Sequence, residues 1–192
     1  MTDSSRSRLL VAAERLIIEE GLKALSIRRI AAETGLNSAL IRYYFGSVDG
    51  LLTTLAQHNL EPMLEQWRAA PGAEAGLRAV LHGYFAPMWL PARHCPEERA
   101  LMVIDEVVAH GDANVREALT APLLAPFERT LSAIAQLRPD LPADDAAARL
   151  GFASAGALGM PPRSRTRRLF AGRSVGRLDD AVHFAEALFA GH

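Results

Sequence analysis

The sequence predicts an all-α fold in which a short N-terminal module of three helices precedes a longer helical body. Three observations predict it. Alanine and leucine are abundant while aromatic residues make up only 6% of the 192 residues. Apolar residues recur at three- and four-residue spacing, and no stretch alternates apolar with polar residues long enough to propose a strand, so none is expected. Glycines, prolines and capping side chains fall between the periodic stretches, where helices must start and stop.

The first helix follows from RLLVAAERLII, which places Leu10, Ala13, Leu16 and Ile17 on one face, and Gly21 ends it. Ser26 then offers an N-cap, because its hydroxyl can accept a backbone N–H that the first turn leaves unpaired. Ile27, Ile30 and Ala31 continue at helical spacing to Gly35, where a tight turn needs a residue that tolerates positive φ. A third helix restarts at once, capped by either Asn37 or Ser38 and carried by Ala39 to Phe45. Ile41, Tyr44 and Phe45 lie at core spacing in it, and Arg42 and Tyr43 point away from that core.

A fourth helix is predicted from Val48 through Trp67, with Leu51, Leu52, Leu55 and Leu60 as its apolar stripe and Pro62 either kinking or dividing it. Pro71 and Gly72 break the chain before a fifth helix, Ala73 to Trp89. WLPARHCPEE reads as a loop punctuated by Pro91 and Pro96. The sixth helix runs from Glu97 or Glu98 to His110. Asp112 or Asn114 starts a seventh that reaches Leu137, interrupted or bent near Pro122 and Pro126. The eighth runs from Asp144 to about Gly159, and Leu178 to Ala190 form the last.

Two short helices joined by a glycine turn allow the second to lie in the DNA major groove while the first crosses the backbone. On that geometry Asn37, Ser38, Ala39 and Arg42 meet base edges, Ala39 through a thymine methyl and Arg42 through guanine O6 and N7. Arg6, Arg28, Tyr43, Tyr44 and Ser47 are placed for phosphates, which set register without carrying sequence information, and Ser26 joins the same DNA-facing set. Charge gives mild support. Between residues 1 and 47, Arg6, Arg8, Arg15, Lys23, Arg28, Arg29 and Arg42 outnumber Asp3, Glu14, Glu19, Glu20 and Glu33, whereas the whole chain carries a formal charge of −1.

The block RSRLLVAAERLIIEEGLKALSIRRIAAETG, closed by IRYYFGSVDGLL, resembles the DNA-binding head of TetR-family transcriptional regulators. The tyrosine and phenylalanine signature at the end of the recognition helix matches, as do Gly46 and Ser47. Val48 stands where the family usually has a lysine. The resemblance covers roughly a quarter of the chain, from about Arg6 to Leu52. It implies a helix-turn-helix DNA-binding domain over residues 1–47 and a helical effector-binding and dimerisation domain over residues 48–192. It further implies a homodimer that reads a palindromic double-stranded DNA operator and responds, most often as a repressor, to a small-molecule effector.

Within the body, the resemblance makes Ala146 to Gly159 and Asp179 to Ala190 the pair of helices expected to bundle with a second subunit. Gly151, Ala155 and Gly159 recur at four-residue spacing, which suits close helix approach either within the subunit or across a dimer interface. The ligand pocket is expected among Trp67, Tyr84, Phe85, Met88, Trp89, Met102, Phe127 and Phe152, with His82, Asp105, Glu106 and His110 as polar anchors. Arg163, Arg165, Arg167, Arg168, Arg173 and Arg177 form a run without an acid. It is either a solvated loop or an anion site, and its distance in sequence from the reading head disfavours a role on DNA.

Other classes find less in the sequence. Cys95 is the only cysteine, so no intrachain disulfide forms and a cytoplasmic setting is expected. MTDSSRSR has no apolar signal core, and the low-polarity run from Leu150 to Pro162 is too short to span a bilayer. His94, Cys95 and His110 match no compact metal-ligand spacing, so neither metal nor cofactor is expected. No GxSxG elbow, phosphate-cradling glycine loop or HExxH occurs, so the chain is expected not to be an enzyme. The alternative class is a helical small-molecule-binding protein or enzyme whose N-terminal helices are merely structural.

Overall fold

A computed structural model describes residues 4–159 and 176–190. Its helices are α1 Ser5–Glu20, α2 Ile27–Thr34, α3 Ala39–Phe45, α4 Val48–Ala69, α5 Leu77–Phe85, α6 Ala100–His110, α7 Ala113–Leu137, α8 Ala143–Gly159 and α9 Leu178–Ala190. The fold is all-α, and among the described residues extended pairing is limited to one isolated bridge between Pro91 and Arg99. No described helix is long and apolar enough to cross a membrane. The chain forms two compact units, one of Met1–Glu61 with Pro91–Thr120, the other of Pro62–Leu90 with Ala121–His192.

In the first unit, α1 packs against α2, α3 and α6. Leu9, Leu10, Ala13, Leu16 and Ile17 of α1 are buried together with Ile30, Ile41, Leu51, Leu55 and Ile104. Each large side chain so buried contributes about 1.5–3 kcal/mol. Two carboxylates lie inside this apolar packing, and both are hydrogen-bonded, as buried charges must be. Glu14 of α1 accepts the Asn59 side-chain amide of α4 at 2.7 Å and the His94 backbone N–H at 2.5 Å. Asn59 in turn accepts the Arg93 backbone N–H at 3.0 Å. Glu106 of α6 accepts the Leu22 backbone N–H at 3.1 Å, just past the end of α1. The Cys95 thiol is buried and bonds to Glu14, and burial beside that carboxylate and Glu97 pushes it up to about 12.

The second unit is built on α5 against α9 and α9 against α8. Leu81, Phe85, Ile134, Leu150, Val182, Ala185 and Phe189 form its core. The Trp67 indole donates to the Tyr84 carbonyl at 2.8 Å. The Tyr84 phenol meets Ser154 Oγ at 3.0 Å, and because Ser154 itself donates to the Leu150 carbonyl, the phenol is the donor. At the end of α9, carbonyls that lack helical partners are taken up by arginines, Leu188 by Arg149 at 2.7 Å and Phe189 by Arg138.

Several expectations change. The predicted fifth helix divides into 3-10 turns at Ala73–Ala75 and Ala86–Trp89 flanking α5, because Gly76 adopts φ +84° and resets the chain direction. Helix α6 starts at Ala100, later than expected, since the Ala92 N–H donates to the Glu98 carbonyl at 2.7 Å and the bridge to Arg99 keeps the chain extended. Helices α4 and α7 pass through Pro62, Pro122 and Pro126 without ending. A proline withholds one backbone donor, and Ala118, whose carbonyl loses its partner to Pro122, is exposed to water. The arginines at 163, 165, 167, 168 and 173 lie outside the described residues, while Arg177 stands 3.9 Å from Asp179 in an exposed pair. Gly159 ends α8, and Gly151 and Ala155 precede it on that helix.

Candidate nucleic-acid interface

Local sequence builds the reading head. Ser26 Oγ accepts the Arg29 N–H at 3.1 Å and starts α2. Gly35, at φ +64°, turns the chain after Thr34, in a conformation that a side chain at Cβ would strain. Asn37 caps α3, its Oδ1 accepting the Ala39 N–H at 2.9 Å, whereas Ser38 makes no side-chain cap. Ser47 Oγ accepts the Gly50 N–H at 3.0 Å and starts α4. Gly50 has no room for a Cβ, because the Phe45 carbonyl oxygen occupies that space. The α3–α4 junction is therefore closely packed, whereas a Cβ at Gly35 would meet nothing within 4 Å and only its positive φ favours glycine there.

This arrangement turns one face of α3 outward. Asn37, Ser38, Ala39, Arg42 and Tyr43 are exposed, with Tyr43 at 78%, while Ile41 is fully buried. Tyr44, expected in the core with Ile41 and Phe45, is 37% exposed and stands edge-on between the Tyr43 and Phe45 rings, at 5.0 and 6.2 Å between centroids. A seven-residue helix resting on Ile41 and Phe45 has too narrow a buried stripe to enclose a third large ring. Ser26, Arg28 and Ser47 are exposed as well. Arg6 is half-buried, with its guanidinium 5.3 Å over the Phe45 ring.

The arginines of the head divide into two groups. Arg8 donates to the Thr34 carbonyl at the end of α2. Arg15 pairs with Glu33 at 2.8 Å, and Arg29 pairs with Glu20 at 2.7 Å. These three brace α1 and α2 internally. Arg28 and Arg42, by contrast, meet no carboxylate among the described residues, which leaves two solvated cations on the exposed surface of α2 and α3. Sequence alone could not separate the groups, because the separation depends on which acid the fold brings near each guanidinium.

The predicted ligand residues fall in different places. In the second unit Trp67 and Tyr84 line one cavity with Ala70, Pro71, Val80, Arg129 and Thr130. Burial pushes the Tyr84 phenol up, so it stays neutral. Phe85 and Met88 are buried core, Phe127 lies 6.4 Å from the Tyr84 ring, and the Trp89 indole donates to the Gly176 carbonyl at 2.9 Å. Phe152 is 65% exposed on α8. Met102, Glu106 and His110 belong to α6 in the first unit, where Glu106 holds Leu22 and His110 Nε2 stands 3.9 Å from Glu106. His82 is exposed and Asp105 half-buried.

Comparison with known proteins agrees with the geometry of the head. Residues 9–55 match the N-terminal model of the bacterial regulatory proteins of the tetR family. The chain is 26% identical over 140 residues to the HTH-type transcriptional regulator BetI of Burkholderia mallei (strain NCTC 10229), covering 64% of this chain and 72% of that one. It is 33% identical over 85 residues to BetI of Stenotrophomonas maltophilia (strain R551-3), covering 42% and 43%. Two crystal structures share the fold. The TetR family transcriptional regulator PfmR from Thermus thermophilus aligns over 96% of this chain and 98% of its own, with a TM-score of 0.66 at 16% identity. A TetR-family regulator from Rhodococcus sp. aligns over 96% of each chain with a TM-score of 0.59 at 17% identity. Residues 9–55 therefore form a TetR-family N-terminal head, with its signature carried on the exposed surface of α2 and α3, and the chain as a whole is similar in fold to TetR-family transcriptional regulators.

Proposed function

We propose that this regulator is a cytoplasmic, non-catalytic, ligand-responsive repressor that binds a palindromic operator as a homodimer. In this reading, residues 1–47 are the DNA-binding domain and residues 48–192 the effector-binding and dimerisation domain. The observation that carries it is the outward face of α3, where Asn37, Ser38, Ala39, Arg42 and Tyr43 are exposed over a buried Ile41. Arg42 and the N-terminal residues of α3 read base edges, and Arg6, Ser26, Arg28, Tyr43, Tyr44 and Ser47 hold phosphates. That Arg28 and Arg42 meet no carboxylate among the described residues supports those roles, since neither gives up an ion pair there to meet DNA.

Dimerisation runs through α8 and α9, on whose exposed sides the Phe152 and Phe184 rings lie 6.2 Å apart. The effector binds in the cavity beside Trp67 and Tyr84 and favours a state that fits DNA less well. Thermodynamic linkage then requires DNA to weaken effector binding by the same factor.

Selection of bound duplexes from a random DNA pool tests the reading, with an Arg42→Ala and Tyr43→Phe double variant alongside at near-physiological salt. Enrichment of a palindrome by the unaltered protein alone is the expected result. With the single variants, Arg42→Ala relaxes base preference and costs about 1–3 kcal/mol at the preferred site, whereas Tyr43→Phe weakens all sequences alike. Failure of a folded protein to enrich any sequence would move the assignment to a helical small-molecule-binding protein or enzyme.

A further inference from the structure

The cavity of the second unit is lined by Trp67, Tyr84, Val80, Arg129 and Thr130, with Ala70, Pro71, Gly72 and Ala133 closing it, and has a volume of about 50 Å³. A water needs about 10–15 Å³ on that measure, so the space takes about three to five heavy atoms. Its walls differ in character. Trp67 and Tyr84 are both buried, and their polar atoms are committed elsewhere: the indole N–H to the Tyr84 carbonyl and the phenol to Ser154. They offer only apolar ring surface.

Two groups remain available for a ligand. Threonines within helices commonly return their hydroxyl to the carbonyl four residues back. Thr34, Thr53, Thr54 and Thr120 all do so here, at 2.8–2.9 Å. Thr130 is 7% exposed and lines the cavity, yet its hydroxyl makes no hydrogen bond among the described residues. That hydroxyl is not among the buried polar atoms that lack a partner, so it is open to solvent and its donor is free to meet an acceptor in the cavity. Arg129, the next residue on α7, lines the same cavity and meets no carboxylate among the described residues. The described lining contains one cation and no acid.

From this donor set we infer that the cavity accepts a small organic monocarboxylate. One carboxylate oxygen takes the Thr130 hydroxyl, the guanidinium of Arg129 takes the other, and a short alkyl group lies against the indole and phenol rings. Arg129 is exposed at the rim, and its single guanidinium balances one negative charge, so a monoanion is matched more closely than a dianion such as phosphate. This inference rests on the reading of the cavity as the effector site and adds the chemical class of what enters it.

The test follows the Trp67 indole N–H resonance, distinguished from that of Trp89 by its persistence in Trp89→Phe, while the intact protein is titrated at constant ionic strength. The probes are propionate, its neutral isostere propionamide, and inorganic phosphate. Propionate is expected to shift the resonance saturably, with propionamide and phosphate at least about tenfold weaker, as expected when a charge-assisted hydrogen bond is lost. Arg129→Gln should weaken propionate by a similar factor without altering the amide spectrum elsewhere, and Thr130→Val should weaken it less. Equal binding of propionamide, tighter binding of phosphate, or an Arg129→Gln affinity equal to that of the unaltered protein would overturn the carboxylate assignment and leave the cavity as an effector site. If no probe moves Trp67 in a protein that binds its operator, the assignment falls together with the effector reading of this cavity.

Discussion

The Glu14 carboxylate of α1 accepts a 2.7 Å hydrogen bond from the side-chain amide of Asn59 on α4, and both residues are buried. The backbone N–H groups of Arg93 and His94 complete the arrangement, so one carboxylate and one amide join α1, α4 and the loop that leads to α6. Replacing Asn59 with Ala leaves the carboxylate one donor short without a route to water. The expected cost is about 2–3 kcal/mol in urea unfolding monitored by circular dichroism. Asn59→Asp should cost more, because it sets a second carboxylate against the first. A change below about 0.5 kcal/mol for Asn59→Ala would show that Glu14 finds another donor.

The exposed rings of Phe152 and Phe184 bear on assembly. At 65% and 45% exposure they stand together on α8 and α9, beside the exposed Ala155 and Gly156. Burial of each ring against a second copy would stabilise association by about 1.5–3 kcal/mol. Phe152→Asp is therefore expected to raise the dimer dissociation constant by at least about tenfold, since it removes that burial and introduces a charge. Sedimentation velocity across a protein dilution series would measure it. An unchanged dissociation constant would place the interface elsewhere.

His58 gives the first unit a dependence on acid. Burial lowers its pKa below 6.5, and Arg6, His94 and Arg93 lower it further, with Glu61 acting weakly in the opposite direction. A group whose folded pKa lies below its unfolded value contributes stability that is present above pH 6.5 and is lost as pH falls through the folded pKa. The unaltered protein should lose stability as the solution is acidified below 6.5. His58→Gln should lose less over the same range, because it removes this proton uptake. Urea midpoints for the two proteins at several pH values provide the measurement, and parallel pH profiles would contradict the assignment.

Features that depend on a few adjacent residues were legible in the sequence. Ser26, Gly21 and Gly35 mark the helix ends that they mark in the structure, and the last helix runs from Leu178 to Ala190 as its apolar spacing predicts. Expectations failed where tertiary packing decides. Tyr44 has core spacing, but in so short a helix Ile41 alone is buried and Phe45 is half-buried. The fifth helix ran too long in prediction because apolar periodicity continues through Gly76 and Pro87 while the backbone does not. The division between bracing and solvated arginines, and the Glu14–Asn59–His94 contacts, join residues up to 80 positions apart, and no local pattern encodes them. Gly50 was missed for the same reason, since only the folded path of Phe45 shows why a side chain cannot stand there.

Cys95 has a practical consequence. It is the chain's one thiol, it is buried against Glu14, and at neutral pH it holds its proton far more tightly than an ordinary cysteine. Only a thiolate attacks an alkylating or disulfide reagent, so modification must wait until the 91–99 loop leaves Glu14. The rate at which an unaltered sample takes up such a reagent is therefore an intrinsic clock for local opening beneath the reading head. Running that clock with and without operator DNA would reveal whether DNA binding quiets the loop, without adding a label or changing a residue.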